Sequence, residues 1–241
     1  MNKIRISAVS YTNTRPFVYG LMHSEIPQKT ELTLDVPAEC ARKLIRDEAD
    51  IGLVPVAALL HIPGYQIVAD YCIGAEGPVN SVFLFSHKPV SEVRTVCADS
   101  QSRTSNNLAK VLLKHHWKVT PEFVTDQDQD ADAFVLIGDR TFGKKDQYPF
   151  AYDLAEEWIS FTGLPFVFAV WASNKPIPQE FSDELNAALA YGLDHRREVL
   201  AELQPRNDFD LTDYLMNRIS FGLDERKREA LELFLKYVAN G

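Results

Sequence analysis

Three short stretches join the end of a strand to the start of a helix through small polar residues: Thr12-Asn13-Thr14, Pro55-Val56-Ala57 and Ser102-Arg103-Thr104-Ser105. Ile137-Gly138-Asp139 is a fourth polar strand end. The chemistry open to such a set is the capture of an anion. N–H groups in the first turn of a helix have no partner within it and carry the positive end of the peptide dipoles. Hydroxyls add donors, and Arg15 or Arg103 could pair with a carboxylate. Taken singly, each stretch also reads as a plain cap or turn, with Thr14 capping the helix that begins near Pro16 and Asp139 a turn residue. Taken together, at corresponding ends of two lobes, they suit one shared anion site, because α/β lobes gather ligands at the carboxyl ends of their strands.

Other chemistries find less support. Asp126, Asp128 and Asp130 match the first ligand positions of a calcium loop, but Ala131 replaces the turn glycine and Ile137 the closing glutamate, so Asp126 to Asp132 reads as a solvated turn. His23, His61, His87, His115, His116 and His195 have no metal-ligand spacing with thiols or carboxylates. The chain has no GxGxxG, no P-loop and no GxSxG, so neither a cofactor nor a metal is expected.

The 241 residues are 46% hydrophobic and 24% charged, an ordinary globular composition, and their formal net charge is −9. That charge argues against nucleic acid as a partner and leaves an anionic ligand dependent on local donors. No apolar run approaches the length of a membrane span, and MNKIRISAV does not resemble a signal peptide, so no membrane association is expected. Cys40, Cys72 and Cys97 are odd in number and far apart, which suits buried thiols in a reducing, cytoplasmic setting.

The elements that must position these stretches can be read from periodicity. Strands are expected near residues 4–9, Glu31–Val36, Asp50–Val54, Tyr65–Ile73 and Ser81–Phe85, with helices after Pro16 and Pro37 and a short one after Pro55. This alternation predicts a mostly parallel sheet. A second, smaller unit comes next: Val93–Ala98, a helix from Asn106 to Trp117 capped by Thr104-Ser105, and strands at Pro121–Val124 and Ala133–Ile137. Tyr152–Phe161 reads as helix, Leu164–Trp171 as a strand buried on both faces, and three amphipathic helical stretches complete the chain. The expected organisation is a discontinuous lobe, residues 1–85 plus 171–241, interrupted by a second lobe at 86–170. Ser81–Ser86 leads out and Leu164–Trp171 leads back.

In this order the motifs resemble the menaquinone biosynthetic enzymes of the futalosine route. The match rests on Ser10 to Phe17, Asp50 to Val56, Ser102 to Ser105, and Asp153-Leu154 through Trp158 to Thr162–Ala172, with Ser81-Val82 and Ile137-Gly138-Asp139 also in place. It spans residues from about 4 to 172. The resemblance implies the fold of type II periplasmic binding proteins, two βα lobes with a cleft between them. Ser-Tyr-Thr-Asn-Thr-Arg-Pro is similar to the chorismate dehydratases of that route rather than to the sister dihydroxynaphthoate synthases, although Thr12 stands where Leu is usual and Arg15 where a small or apolar residue is common. The implied reaction is loss of water from chorismate, a dianion, to give 3-[(1-carboxyvinyl)oxy]benzoate, with no cofactor. It also implies a catalytic role for Asn13, and a substrate site drawn from Thr14, Pro55, Val56, Ser81, Arg103, Thr104, Ser105, Gly138, Asp139 and Phe166. Two alternatives stay open: a small-anion binding protein without catalysis, and the sister synthase.

Overall fold

The computed structural model describes residues 3–125 and 130–240. Of the acidic turn at 126–132, residues 126–129 lie outside the described residues. The strands are β1 (Ile4–Val9), β2 (Thr30–Asp35), β3 (Ile51–Pro55), β4 (Gln66–Ala75), β5 (Val82–Ser86), β6 (Thr95–Cys97), β7 (Glu122–Val124), β8 (Ala133–Ile137), β9 (Phe150–Asp153), β10 (Phe166–Ser173) and β11 (Ser220–Gly222). The α-helices are α1 (Arg15–Met22), α2 (Ile26–Lys29), α3 (Pro37–Ile45), α4 (Arg103–Val111), α5 (Leu154–Thr162), α6 (Gln179–Asp194), α7 (Arg196–Glu202), α8 (Leu211–Asp213) and α9 (Glu225–Ala239). No helix among the described residues is long and apolar enough to cross a membrane.

Two sheets result, ordered β11-β4-β10-β3-β1-β2 and β7-β6-β8-β5-β9. The expected parallel pairing holds for β2-β1-β3 and for β7-β6-β8, whereas β10, β4, β11, β5 and β9 pair antiparallel. The departure has a topological cause. β5 and β10 are the strands on which the chain arrives from the other sheet, and each enters against the local direction. β5 belongs wholly to the second sheet and β10 wholly to the first. On sheet membership we propose lobe boundaries near Asn80 and Leu164, a few residues before those read from sequence.

Several elements also shift. Tyr152-Asp153 ends a strand instead of starting a helix, and the Asp153 carboxylate caps α5 by accepting from the N–H groups of Ala155 (3.0 Å) and Glu156 (3.2 Å). Ser102, not Thr104 or Ser105, caps the next helix upstream: its Oγ accepts from Ser105 N at 3.0 Å, so α4 begins at Arg103. Thr14 precedes α1 in helical conformation and makes no capping bond; its hydroxyl donates instead to Asn13 Oδ1 at 3.2 Å.

The crossing segment 76–81 is held at both ends. Lys227 of α9 is almost fully buried and donates to Glu76 at 2.6 Å, while Asn80 N–H donates to Asp153 Oδ2 at 2.6 Å. The returning crossing at 163–165 is fixed by Trp158, whose indole donates to Pro165 O at 3.1 Å and whose ring packs edge-on against Phe166 and Phe234. In the first lobe, Phe17 of α1 is completely buried against Trp171 and Phe221. That seating requires α1 and α6 to touch through glycine. A Cβ on Gly192 would stand 1.8 Å from Pro16 O, and one on Gly20 would stand 1.9 Å from Ala188 O.

Gly192→Ala therefore pushes α1 off its seat. Such overpacking costs about 1–3 kcal/mol, read as a lower urea midpoint at unchanged slope.

Candidate active site

The parallel strands end on a common level, and the turns after them face each other across the gap between the sheets. The cavity between them is small, about 60 Å³. Tyr11, Asn13 and Thr14 enter it from the turn after β1, and Pro55 from the end of β3. Ser81 and Val82 enter at the start of β5, Ser102, Thr104 and Ser105 at the start of α4, and Ile137-Gly138 from the end of β8. Ile73, Val79, Phe168, Ala169 and Ile219 give it an apolar floor.

No Asp, Glu, Lys, Arg or His is among the described residues lining this cleft. Its polarity comes from hydroxyls, one amide and the first turn of α4, where the N–H groups of Arg103 and Thr104 have no carbonyl within the helix to bond. An anion held here is bound by fixed dipoles rather than by counter-charge. Thr104 does double duty: its Oγ accepts from Ala57 N at 3.1 Å across the lobes, leaving its proton to donate elsewhere.

Further contacts join the lobes at the rim. Asp139 accepts from Thr12 N–H (3.1 and 3.2 Å) and from the Thr12 hydroxyl (2.9 Å). Tyr11 donates to Gln101, and its ring lies over Gly138, where a Cβ would come within 2.7 Å of it. Gly138 also has φ +63°, so this position needs glycine on both counts. Arg140 is engaged by the buried Asp99 at 2.6 and 2.8 Å. Beneath the rim, the phenol of Tyr214, 1% exposed, donates to Ser81 Oγ at 2.9 Å. Burial raises the pKa of both Tyr11 and Tyr214, so both stay protonated donors at neutral pH. Burial likewise pushes the Asp153 carboxyl up to about 6, against the N–H groups that favour its charge.

Of the residues singled out from sequence, the fold brings together Asn13, Thr14, Pro55, Ser81, Thr104, Ser105 and Gly138. It does not bring in the others. Val56 is fully buried behind Pro55, and Arg103 is exposed, because the cap at Ser102 turns the second residue of the motif outward. Asp139 is occupied by Thr12, and Phe166 faces the core against Trp158 and Phe234 while Phe168 faces the cleft. Arg15 is exposed and lines a separate groove. Sequence reading passes over Tyr11, Ser102, Phe168 and Tyr214. Ser102 and Tyr11 lie within motifs already noted, whereas Tyr214 gives no local signal.

The model of a family described as menaquinone biosynthesis matches residues 4–240. A chorismate dehydratase of Thermus thermophilus is 30% identical over an alignment covering 91% of this chain and 94% of that protein. Among solved structures, protein AF1704 of Archaeoglobus fulgidus superposes with a TM-score of 0.75 at 15% identity, over 99% of this chain and 97% of its own. The CA3427 gene product of Candida albicans, described as having the generic periplasmic binding protein fold, gives 0.69 at 12% identity, over 100% and 91%. The two-lobed architecture described above is that fold.

Asp139→Ala removes the acceptor of both Thr12 donors, while Asp139→Asn keeps one. Since a hydrogen bond to a charged group is worth about 1.5–3 kcal/mol, amide exchange at Thr12 should speed up roughly tenfold or more in the alanine variant and less in the asparagine one.

Proposed function

This chain belongs to the menaquinone biosynthesis family, and we propose that within it the chain is a hydro-lyase converting chorismate to 3-[(1-carboxyvinyl)oxy]benzoate and water. The observation that carries this reading is the cleft itself: donors from both lobes converge on one apolar-floored space beside Asn13, with no charged side chain among the described residues of the lining. A dianion that loses water and becomes aromatic needs to be held and oriented more than attacked. The similarity to the Thermus dehydratase supports the same substrate.

The reaction breaks the C3–H and C4–O bonds of the ring and forms the last double bond of the arene. Aromatisation supplies the driving force. In our reading the first turn of α4 and the hydroxyls of Thr104 and Ser105 hold one carboxylate, with Thr14, Ser81 and Gly138 completing the binding wall. Pro55, Phe168 and Ile219 press on the ring and limit its conformations, which is the entropic part of catalysis. The enolpyruvyl carboxylate of the substrate itself takes the C3 proton and passes it to the departing C4 hydroxyl, which leaves as water. Asn13, whose Oδ1 is engaged by Thr14, presents its amide N–H groups to charge that develops during elimination. An amide neither gains nor loses a proton near neutrality, so its part is stabilisation and not proton transfer. A cytoplasmic location fits this chemistry, and buried Cys40 and Cys72, whose thiols burial pushes up to about 12, fit a reducing compartment.

Purified protein mixed with chorismate should show the absorbance change of ring aromatisation. Binding without turnover favours a solute-binding role on the same fold, and neither binding nor turnover points to the sister synthase. Asn13→Ala should lower kcat by about 10²-fold or more, the scale of a lost charge-stabilising donor, with a smaller effect on KM. A variant that keeps kcat and loses only affinity would remove Asn13 from the chemistry.

A further inference from the structure

Tyr214 is remote in sequence from every motif that forms the cleft, yet its phenol ends at the cleft wall. It opens a π-helical turn, Tyr214–Arg218, directly after α8, which Asp210 caps by accepting from Asp213 N–H at 2.8 Å. A π-turn adds a residue to the helical register and redirects the chain beyond it. The ring is clamped edge-on by Phe142 (centroids 5.4 Å apart) and Phe209 (5.3 Å), which stack on each other at 3.9 Å. Two aromatic rings thus fix one phenol to the side of a cleft it does not line.

The phenolic proton goes to Ser81 Oγ at 2.9 Å. Among the described residues that is the only bond the Ser81 hydroxyl makes, so its own proton is free to point into the cleft. One buried phenol oxygen therefore sets the hydroxyl of a side chain that lines the cleft. Elsewhere in the cleft lining, Asn13 Oδ1 is engaged by the Thr14 hydroxyl. Donation into Ser81 also polarises the outgoing Ser81 O–H, since hydrogen bonds in series strengthen one another.

We infer that Tyr214 is a positioning residue for the dehydration: its hydroxyl turns Ser81 into an obligate donor toward the substrate. The inference rests on the dehydratase reading above. It predicts that the phenol acts through Ser81 and makes no contact with substrate.

Tyr214→Phe keeps the ring and its aromatic clamp and removes only the oxygen. Expected are a kcat lower by about tenfold, less than for a direct oxyanion-type donor, a KM changed by less than about twofold, and a thermal midpoint close to that of the parent. In a double-mutant cycle with Ser81→Ala, the second substitution should add little to the first, because both remove one relay. A Tyr214→Phe enzyme with parental kcat, or losses that multiply in the double variant, overturns the inference. Parent protein that leaves chorismate unchanged overturns the functional reading and this inference with it, whereas an active parent matched by an equally active Tyr214→Phe overturns the inference alone.

Discussion

Six residues of irregular chain, 76–81, carry the main constraint of this molecule. They must leave the first sheet after β4 and deliver Ser81 to the start of β5 in the second, and they are held by an ion at each end. Lys227, buried to 1% exposure, holds Glu76, and the carboxylate of Asp153, exposed to 3%, holds the N–H of Asn80. Burying either charge is costly unless it is satisfied, so each anchor resists partial loosening. The geometry of Ser81, and through it the cleft wall, is set by how the two anchors are spaced. The same anchors recruit distant parts of the chain: α9 supplies the lysine, and the junction of β9 with α5 supplies the carboxylate.

That arrangement explains why the C-terminal region contributes to a site built mainly from the first 170 residues. α9 packs on β10 and, through Phe234 and Tyr237, against Trp158 of the other lobe. Segment 206–214 stacks on the loop after β8, with Arg206 over the ring of Phe142 and Phe209 parallel to it. The lobes are thus braced along the back by α9 and at the side by this segment, while the rim contacts of Tyr11 and Thr12 lie at the front. Neutral donors can then do the work of charges, because dipoles bind an anion well only when the frame around them cannot reorient.

Much of this is legible from residue patterns, and the exceptions share a physical cause. Alternation and proline placement locate β1 to β4 and the helices between them, since half-buried strands and helix starts leave local signatures. Phe-Val-Phe-Ala-Val-Trp in β10 has no polar member to mark its faces, so nothing local says that Phe166 turns to the core and Phe168 to the cleft. The cap of α4 depends on a choice among neighbouring hydroxyls, and the shift from Thr104 to Ser102 rotates Arg103 out of the site. Asp139 reads as a ligand because it lies just past a strand, but its partner Thr12 is 127 residues away. Tyr214 and Ser81 are 133 residues apart. Pairings of that range are decided by packing and leave no trace in periodicity.

The bonds between Thr12 and Asp139 and between Ala57 and Thr104 tie the first lobe to the second. Any separation of the lobes requires both to part and to form again. Such bonds break and re-form readily one at a time, yet two that must open together make separation rarer than the opening of either alone.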